Sequence, residues 1–420
     1  SRPTRKLLRA ERGFACNATP NAIHKTAVDL IGRHYDDKPF QRHTHYFISQ
    51  LLAFHMNPPA ISRRQLMLTS LASGMLPCCE KLVMGQEPAT ASLPITVAGY
   101  PYERVRALQE GLTGIEGCDI TFETAKIGEL NQHIFSGPGT RDVTEVGLIP
   151  FLLAFCNDDF RDYQLMPIFV LKVFRHKSIF VRSDAGIKTP EDLRGKRVAT
   201  VGYSSSGLTW IRGLLKDEYN VRPEDLNWVM VRKDSAKEQT GGASKWEKLI
   251  PDHLTVEQAG EGEDESSLLI NGKVDAILHP AEPKAYVDRH PRIKRLFADA
   301  RSVESDYYRK TGIFPIMHAV AIRRDQAKDH PWLPRAVFNG YVNSRNLDYE
   351  QMRKIRWAYS SLPWFGQEYE ETAELMGNNF YSYEIEQNRK ALETIFRYLA
   401  DQGLATRTLT IDEVSVSYTH

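Results

Sequence analysis

The sequence predicts an α/β protein of two lobes with a ligand cleft between them. From about residue 95 onward, short apolar runs alternate with helical patterns, as in strand–helix units over a mainly parallel sheet. The alternation falls into two blocks, with chain crossings near 180 and 318. The part of the 420-residue chain beyond residue 91 is long enough to give two lobes a real core. In hinged folds of this kind the ligand sits at strand C-termini and helix N-termini, where free N–H groups favour anions.

Taken in order, residues 95–99 read as the first strand and 103–111 as a helix stopped by glycine. Residues 119–124 alternate like a half-exposed strand. Residues 143–148 and 166–171 are further strands, with a helix near 150–155 between them. A second block starts near Arg182. Thr189 is an N-cap and Pro190 the first helical position of a turn running to Leu193. Residues 196–201 form a strand, 207–219 a helix, and 227–231 and 274–278 strands. The stretch 241–262 mixes Gly, Pro and charge and reads as loop. Residues 319–323 form another strand, and the chain beyond them is mostly helical. No internal repeat or low-complexity tract stands out.

The chain ahead of this region is of another kind. Ser62-Arg63-Arg64-Gln65-Leu66 opens an apolar run that ends at Leu76, and Ala89-Thr90-Ala91 offers small residues at a signal-peptidase spacing. Charged, apolar, small is the order of a secretory signal, and the paired arginines give it the look of a twin-arginine export signal. Met56 lies just upstream. The expected organisation is an over-extended, disordered start over 1–55 and an export signal over 56–91. Lobe 1 begins over 92–181, lobe 2 spans 182–318, and 319–420 returns to lobe 1 with C-terminal helices. The expected location is the periplasm, with the twin-arginine translocase as a transient partner.

Charge balance, 54 basic residues against 53 acidic for a net +1, lacks the basic excess of a nucleic-acid binder, so no nucleic-acid partner is expected. No apolar run reaches transmembrane length. Of five cysteines only Cys118 and Cys156 lie beyond the signal. Two are not a disulfide framework, and free thiols are the expected state.

Three places could carry chemistry. At Gly202-Tyr203-Ser204-Ser205-Ser206-Gly207 a strand ends and a helix begins, so hydroxyls and backbone donors meet where a carboxylate or phosphate could bind; ordinary serine N-capping explains the same residues. The lysine and spacing of a P-loop are missing. Tyr100, Tyr102 and Arg104 come just after the first strand. Ring stacking and a guanidinium there suit an aromatic acid, although Tyr102 alone reads equally as a surface residue at a helix start. His176, His279 and His318 stand near strand ends or crossings, where a histidine can serve as acid–base group or simply as structure. No HxxxH or HExxH spacing supports a metal, no GxSxG elbow is present, and no GxGxxG comes after the first strand. No cofactor is expected; a divalent metal held by the histidines is possible but unsupported by their spacing.

Residues from about 95 to 413 resemble 4,5-dihydroxyphthalate decarboxylase and its relatives, within the type II periplasmic-binding-protein-like superfamily. The resemblance rests on Phe174-Arg175-His176, the run from Pro190 to Val198, Trp210-Ile211-Arg212-Gly213, the run from Thr311 to His318, Ala321-Ile322-Arg323-Arg324-Asp325 and Asn388-Arg389-Lys390. The Thr311 to His318 block is specific; the run from Pro190 to Val198 is common among solute-binding proteins. His279 also matches a family histidine. The resemblance implies a two-lobed fold and non-oxidative decarboxylation of a dihydroxylated aromatic dicarboxylate, as in aromatic compound catabolism. On that basis His318 or His279 is the proton donor and His176 the partner of a ring hydroxyl. Arg175, Arg212 and the Ser204, Ser205, Ser206 turn hold the carboxylate. The export signal sets a second reading beside it: a solute-binding protein that hands a small organic acid to a membrane permease of the ABC type.

Overall fold

Strand–helix alternation builds a first sheet. In the computed structural model, which describes residues 92–236 and 244–415, the chain runs β1 (Leu93–Gly99), α1 (Glu103–Gln109), β2 (Cys118–Thr124), α2 (Ile127–Phe135), β3 (Val143–Gly147), α3 (Leu148–Asn157) and β4 (Tyr163–Lys172). It then enters a second sheet through β5 (Ile179–Arg182), β6 (Arg197–Thr200), α4 (Ser206–Tyr219), β7 (Asn227–Met230), β8 (Val256–Gln258), α5 (Glu265–Ile270), β9 (Ala276–Leu278) and β10 (Ile293–Arg295). Helix α6 (Ala300–Thr311) leads back to β11 (Ile316–Arg323), and then come α7 (Leu333–Ile355), α8 (Phe365–Met376) and α9 (Ile385–Asp401). The expected start over 1–55 and export signal over 56–91 lie outside the described residues.

Strand order is β2-β1-β3-β11-β4 in the first sheet and β10-β5-β9-β6-β7-β8 in the second. In each, the strand arriving directly from the other lobe, β11 or β5, lies antiparallel to its neighbours, while β1, β2 and β3, and likewise β6, β7, β8 and β9, run parallel. This exchange of one strand between lobes is the two-lobed type II periplasmic-binding-protein-like plan.

The passages between sheets lie at 173–178 and 312–315, slightly ahead of the 182 and 318 expected from the sequence. Residues 179–181 already pair with β9, so lobe 2 opens a few residues before Arg182. On the return, Pro315 has no N–H to give a ladder, and pairing starts just after it. His318 therefore sits inside β11, opposite Gly147 of β3 and Leu171 of β4. The two passages touch: the Val173 N–H donates to the Pro315 carbonyl at 2.9 Å, and the Phe174 and Phe314 rings stack at 4.7 Å.

The stretch expected to be loop carries β8, a three-residue edge strand too short and too exposed to leave an apolar signature. The C-terminal helix α9 buries Leu392, Ile395, Phe396 and Leu399, spaced at three and four residues, against α4. At that crossing Gly213 stands where a Cβ would come within 2.1 Å of the Tyr398 ring. Burying side chains of this size is worth about 1.5–3 kcal/mol each, so α9 is bound firmly to the second lobe. Cys118 and Cys156 are free thiols.

Candidate active site

Strand ends and helix starts from both sheets converge on one cavity of about 280 Å³. From the first lobe come Tyr100, Tyr102, Asn131, Gly147 and His318; from the second come Ser205, Ser206, Gly207, Glu247 and Pro280, with Arg175 from the passage between them.

Hydrogen-bonding groups gather where the starts of α3 and α4 meet the cavity wall. Ser205 is the N-cap of α4, its Oγ accepting the Leu208 N–H, and the Ser206 Oγ accepts the Ile149 N–H at the start of α3. Two helix N-termini, one from each lobe, are thus tied together at the cavity wall. Arg175 lies against them. It is buried, with Nη1 donating to the Pro280 carbonyl at 2.7 Å and Nε directed at the Met317 sulfur at 3.2 Å. Among the described residues no carboxylate pairs with it directly, and burial brings the guanidinium down to about 10, with Glu304 acting the other way from a distance. Gly207 makes this approach feasible: a Cβ there would sit 3.2 Å from the Arg175 Cζ and 3.0 Å from Pro280. A buried cation lacking a counterion at a pair of helix starts is a place for an anion to supply one.

His318 lines the same cavity, with Glu145 behind it. Glu145 is fully enclosed in β3, whose five residues are all buried. It accepts hydrogen bonds from His318 Nδ1 at 2.6 Å, the Tyr102 hydroxyl at 2.9 Å and the Tyr100 N–H at 3.0 Å. Fixing Nδ1 leaves Nε2 as the nitrogen His318 can offer the cavity. The Tyr102 phenol is held far above its ordinary range, first by burial and then by Glu145, so it stays a donor. Tyr100 and Tyr102 stack at 5.4 Å as a flat wall beside the histidine, and the Tyr100 hydroxyl accepts the Ile127 N–H at the start of α2.

Sequence reasoning brought Tyr100, Tyr102, Arg175, Ser205, Ser206 and His318 to this cavity. It also named residues the structure places elsewhere. Arg104 is sandwiched between the Tyr102 and Tyr381 rings, 4.1 and 4.0 Å from their centroids, and donates to the Val170 carbonyl; it braces Tyr102 from behind. Ser204 donates to the Trp246 carbonyl. Tyr203 and Arg212 stack on each other in the second lobe's core, guanidinium 3.6 Å from the ring, with Arg212 Nε on Gln402. Arg212 faces inward because α4 is buried nearly all round.

His176 is packed edge-on to Phe297 and Tyr307 and held neutral, burial lowering it to about 4. His279 is fully enclosed, with Nε2 on Asp234 at 3.1 Å. Asp234, Glu265 and His279 bring ligand-type atoms within 4.8 Å of one another, the one such group among the described residues that could hold a metal. Its donors are engaged, however: Ser235 donates its N–H and its hydroxyl to Glu265, and His279 Nδ1 sits 2.9 Å from the Ala281 backbone.

Glu145 and Glu247 were missed. The signal for Glu145 is an acid inside an apolar strand, Val143-Thr144-Glu145-Val146; for Glu247 it is the capping pattern Ser244-Lys245-Trp246-Glu247 within a presumed loop.

Two relatives bear on this geometry. Over 319 residues the chain is 28% identical to a 4,5-dihydroxyphthalate decarboxylase of Comamonas testosteroni, spanning 76% of this chain and 95% of that one. Over 227 residues it is 30% identical to a 4,5-dihydroxyphthalate decarboxylase of Pseudomonas putida, spanning 54% and 86%. The chain belongs to the 4,5-dihydroxyphthalate decarboxylase family. A family profile described as NMT1/THI5 like matches residues 166–243. Superposition on the desulfurization enzyme DSZB gives a TM-score of 0.45 at 14% identity, over 78% of this chain and 97% of that one. On the periplasmic aliphatic sulphonate binding protein SsuA of Escherichia coli it gives 0.44 at 15% identity, over 77% and 97%.

Among the motifs first associated with the 4,5-dihydroxyphthalate decarboxylase family, the Thr311 to His318 block contains the hinge passage and the cavity histidine. The Trp210 to Gly213 block is packing, with Trp210 Nε1 donating to the Ile316 carbonyl and Gly213 under Tyr398.

Proposed function

We propose that this chain catalyses the non-oxidative decarboxylation of a dihydroxylated aromatic carboxylate of the 4,5-dihydroxyphthalate kind in the interlobe cavity. The observation that carries the reading is a cavity of single-ring size lined by both the buried Arg175 guanidinium, which no carboxylate pairs directly among the described residues, and His318, held from behind by Glu145.

Arg175 and the start of α4 hold the carboxylate. His318 Nε2 takes the proton of the ring hydroxyl para to it, and Glu145 stabilises the imidazolium. Electron density moves to the carboxylate-bearing carbon, which takes up a proton. The bond to the carboxylate then breaks, its electron pair restores the aromatic ring, and CO2 leaves. His318 returns its proton to the phenolate, so one solvent proton is consumed per turnover. All electrons stay in the ring, so the step as written calls for no redox partner.

The test is CO2 release from 4,5-dihydroxyphthalate by the purified full chain. Wild-type turnover and a loss of about 100-fold or more in His318→Ala is the expected result, the usual worth of a positioned acid–base group. Undiminished turnover in His318→Ala, or none in wild type, overturns the reading. Tight binding without turnover would favour the solute-binding role, delivery of an organic acid to an ABC-type membrane permease, for which the Ser62 to Ala91 pattern speaks. The same pattern supports a periplasmic location reached by the twin-arginine route, to be checked by cell fractionation with Arg63 and Arg64 replaced by lysine.

A further inference from the structure

Decarboxylation through ring protonation needs two proton-handling groups, one at the hydroxyl and one at the carbon that loses CO2. His318 serves the first. We propose that Glu247 is the second, the general acid that protonates the carboxylate-bearing carbon; this rests on the decarboxylase reading above.

Position carries the argument. Glu247 lines the cavity and comes from the second lobe, whereas His318 comes from the first. Its main-chain carbonyl accepts the N–H groups of Tyr203 and Ser204, both at 3.1 Å, which fastens it to the turn that presents Ser205 and Ser206 to the anion. Glu247 and His318 line the same cavity and are near enough for the His318 charge to act on Glu247, so a ring bound between them can meet one with its carboxylate-bearing carbon and the other with its para hydroxyl.

The side chain is fixed. Oε2 accepts both the N–H and the hydroxyl of Ser244, at 2.8 and 3.0 Å. A helix cap accounts for that oxygen but not for the burial of the whole carboxyl at a cavity wall beside the Asn131 amide. Surface capping glutamates are solvated and ionised; this one is enclosed, and burial raises its pKa, favouring the protonated form that a donor requires. Among the cavity's lining residues no other carboxyl is present, Glu145 lying behind His318 and Tyr102.

The step balances. The O–H bond of Glu247 breaks as a C–H bond forms at the ring carbon, the C–C bond to the carboxylate breaks, and CO2 departs. Water then reprotonates the Glu247 carboxylate.

The experiment compares wild type, Glu247→Gln and Glu247→Asp, reading kcat from CO2 release with 4,5-dihydroxyphthalate and Kd from calorimetry with phthalate, which lacks the ring hydroxyls the reaction needs. Glu247→Gln keeps shape and cap geometry but carries no transferable acid proton. The expected result is a kcat loss of 100-fold or more with Kd within threefold of wild type, and recovery in Glu247→Asp to at least ten times the glutamine variant. Asp still carries the acid should Glu247→Gln not fold, and a kcat fall in Asp with Kd kept supports the proposal in that case. A kcat in Glu247→Gln within threefold of wild type overturns the Glu247 role while leaving His318 and the decarboxylase reading in place. Absence of turnover in wild type overturns both.

Discussion

At the scale of the residue, Glu145 does the most with the least exposure. It is a buried carboxylate whose three hydrogen bonds come from a tyrosine hydroxyl, a backbone N–H and a histidine ring. Each is a donor that strengthens in the low dielectric of the strand, and together they fix the ring of His318 with Nε2 toward the cavity. Glu145→Gln keeps the volume and loses the negative charge that stabilises an imidazolium. Expected is a fall in kcat of roughly 100-fold with KM for 4,5-dihydroxyphthalate little changed, because Glu145 is not among the residues lining the cavity. Expected too is a loss of stability of about 3 kcal/mol by urea unfolding, as when one partner of a buried polar set is removed. A variant with full kcat would show that His318 needs no partner.

At the scale of the element, the passage 173–178 connects the two sheets and carries three cationic-type groups with different fates. Arg175 faces the cavity. Lys177 is fastened through its main chain, its backbone N–H donating to Glu304 at 3.2 Å. His176 is turned into the second lobe, between Phe297 and Tyr307, with no partner for Nδ1 among the described residues. Burial lowers His176 to about 4 from an ordinary 6.5. As pH falls below 6.5 the unfolded chain binds a proton that the folded chain refuses until about pH 4, so stability declines across that window and is unaffected by this group above it. His176→Phe fits the same aromatic surroundings and removes the titration. The difference in unfolding free energy between pH 7 and pH 4.5 should shrink by about 2 kcal/mol in that variant; an unchanged difference would mean that His176 takes up its proton equally readily in the folded and unfolded protein.

The same scale shows what could be read in advance. The alternation of β1 through β4 was legible because each strand carries four or more residues with a clear apolar pattern. Strands β8 and β10, of three residues each, lean on their neighbours and leave no pattern of their own. Tyr100, Ser205 and His318 were legible because strand tips and helix starts announce themselves locally. Glu145 was not, because its role comes from a histidine 173 positions away. Arg212 was expected to hold the ligand carboxylate because a cation close behind the serine turn suits an anion, and here it is sealed under Tyr203.

At the scale of the whole molecule, the cavity has walls from both sheets and one connecting passage, and neither sheet makes the anion end alone. The start of α3 belongs to the first lobe and the start of α4 to the second, joined through Ser206 and Ile149. An anion bound beside Arg175 would add a direct partner to the distant Glu304 charge that already acts on the guanidinium, so it adds cohesion between the lobes. Ligand that binds only the folded state stabilises it by RT ln(1 + [L]/Kd), about 2.7 kcal/mol at one hundred times Kd. Wild-type protein with 4,5-dihydroxyphthalate at that excess should therefore unfold at higher urea, with the gain falling at high salt as exposed approaches to the charge are screened. Arg175→Met retains the length and packing of the side chain on Gly207 and removes the cation. Its ligand-free stability should be equal to or above wild type, because an unpaired buried charge has gone, and the gain on adding the same ligand concentration should vanish. A variant less stable than wild type without ligand, yet still stabilised by it, would place the anion's counter-charge elsewhere and remove Arg175 from the site.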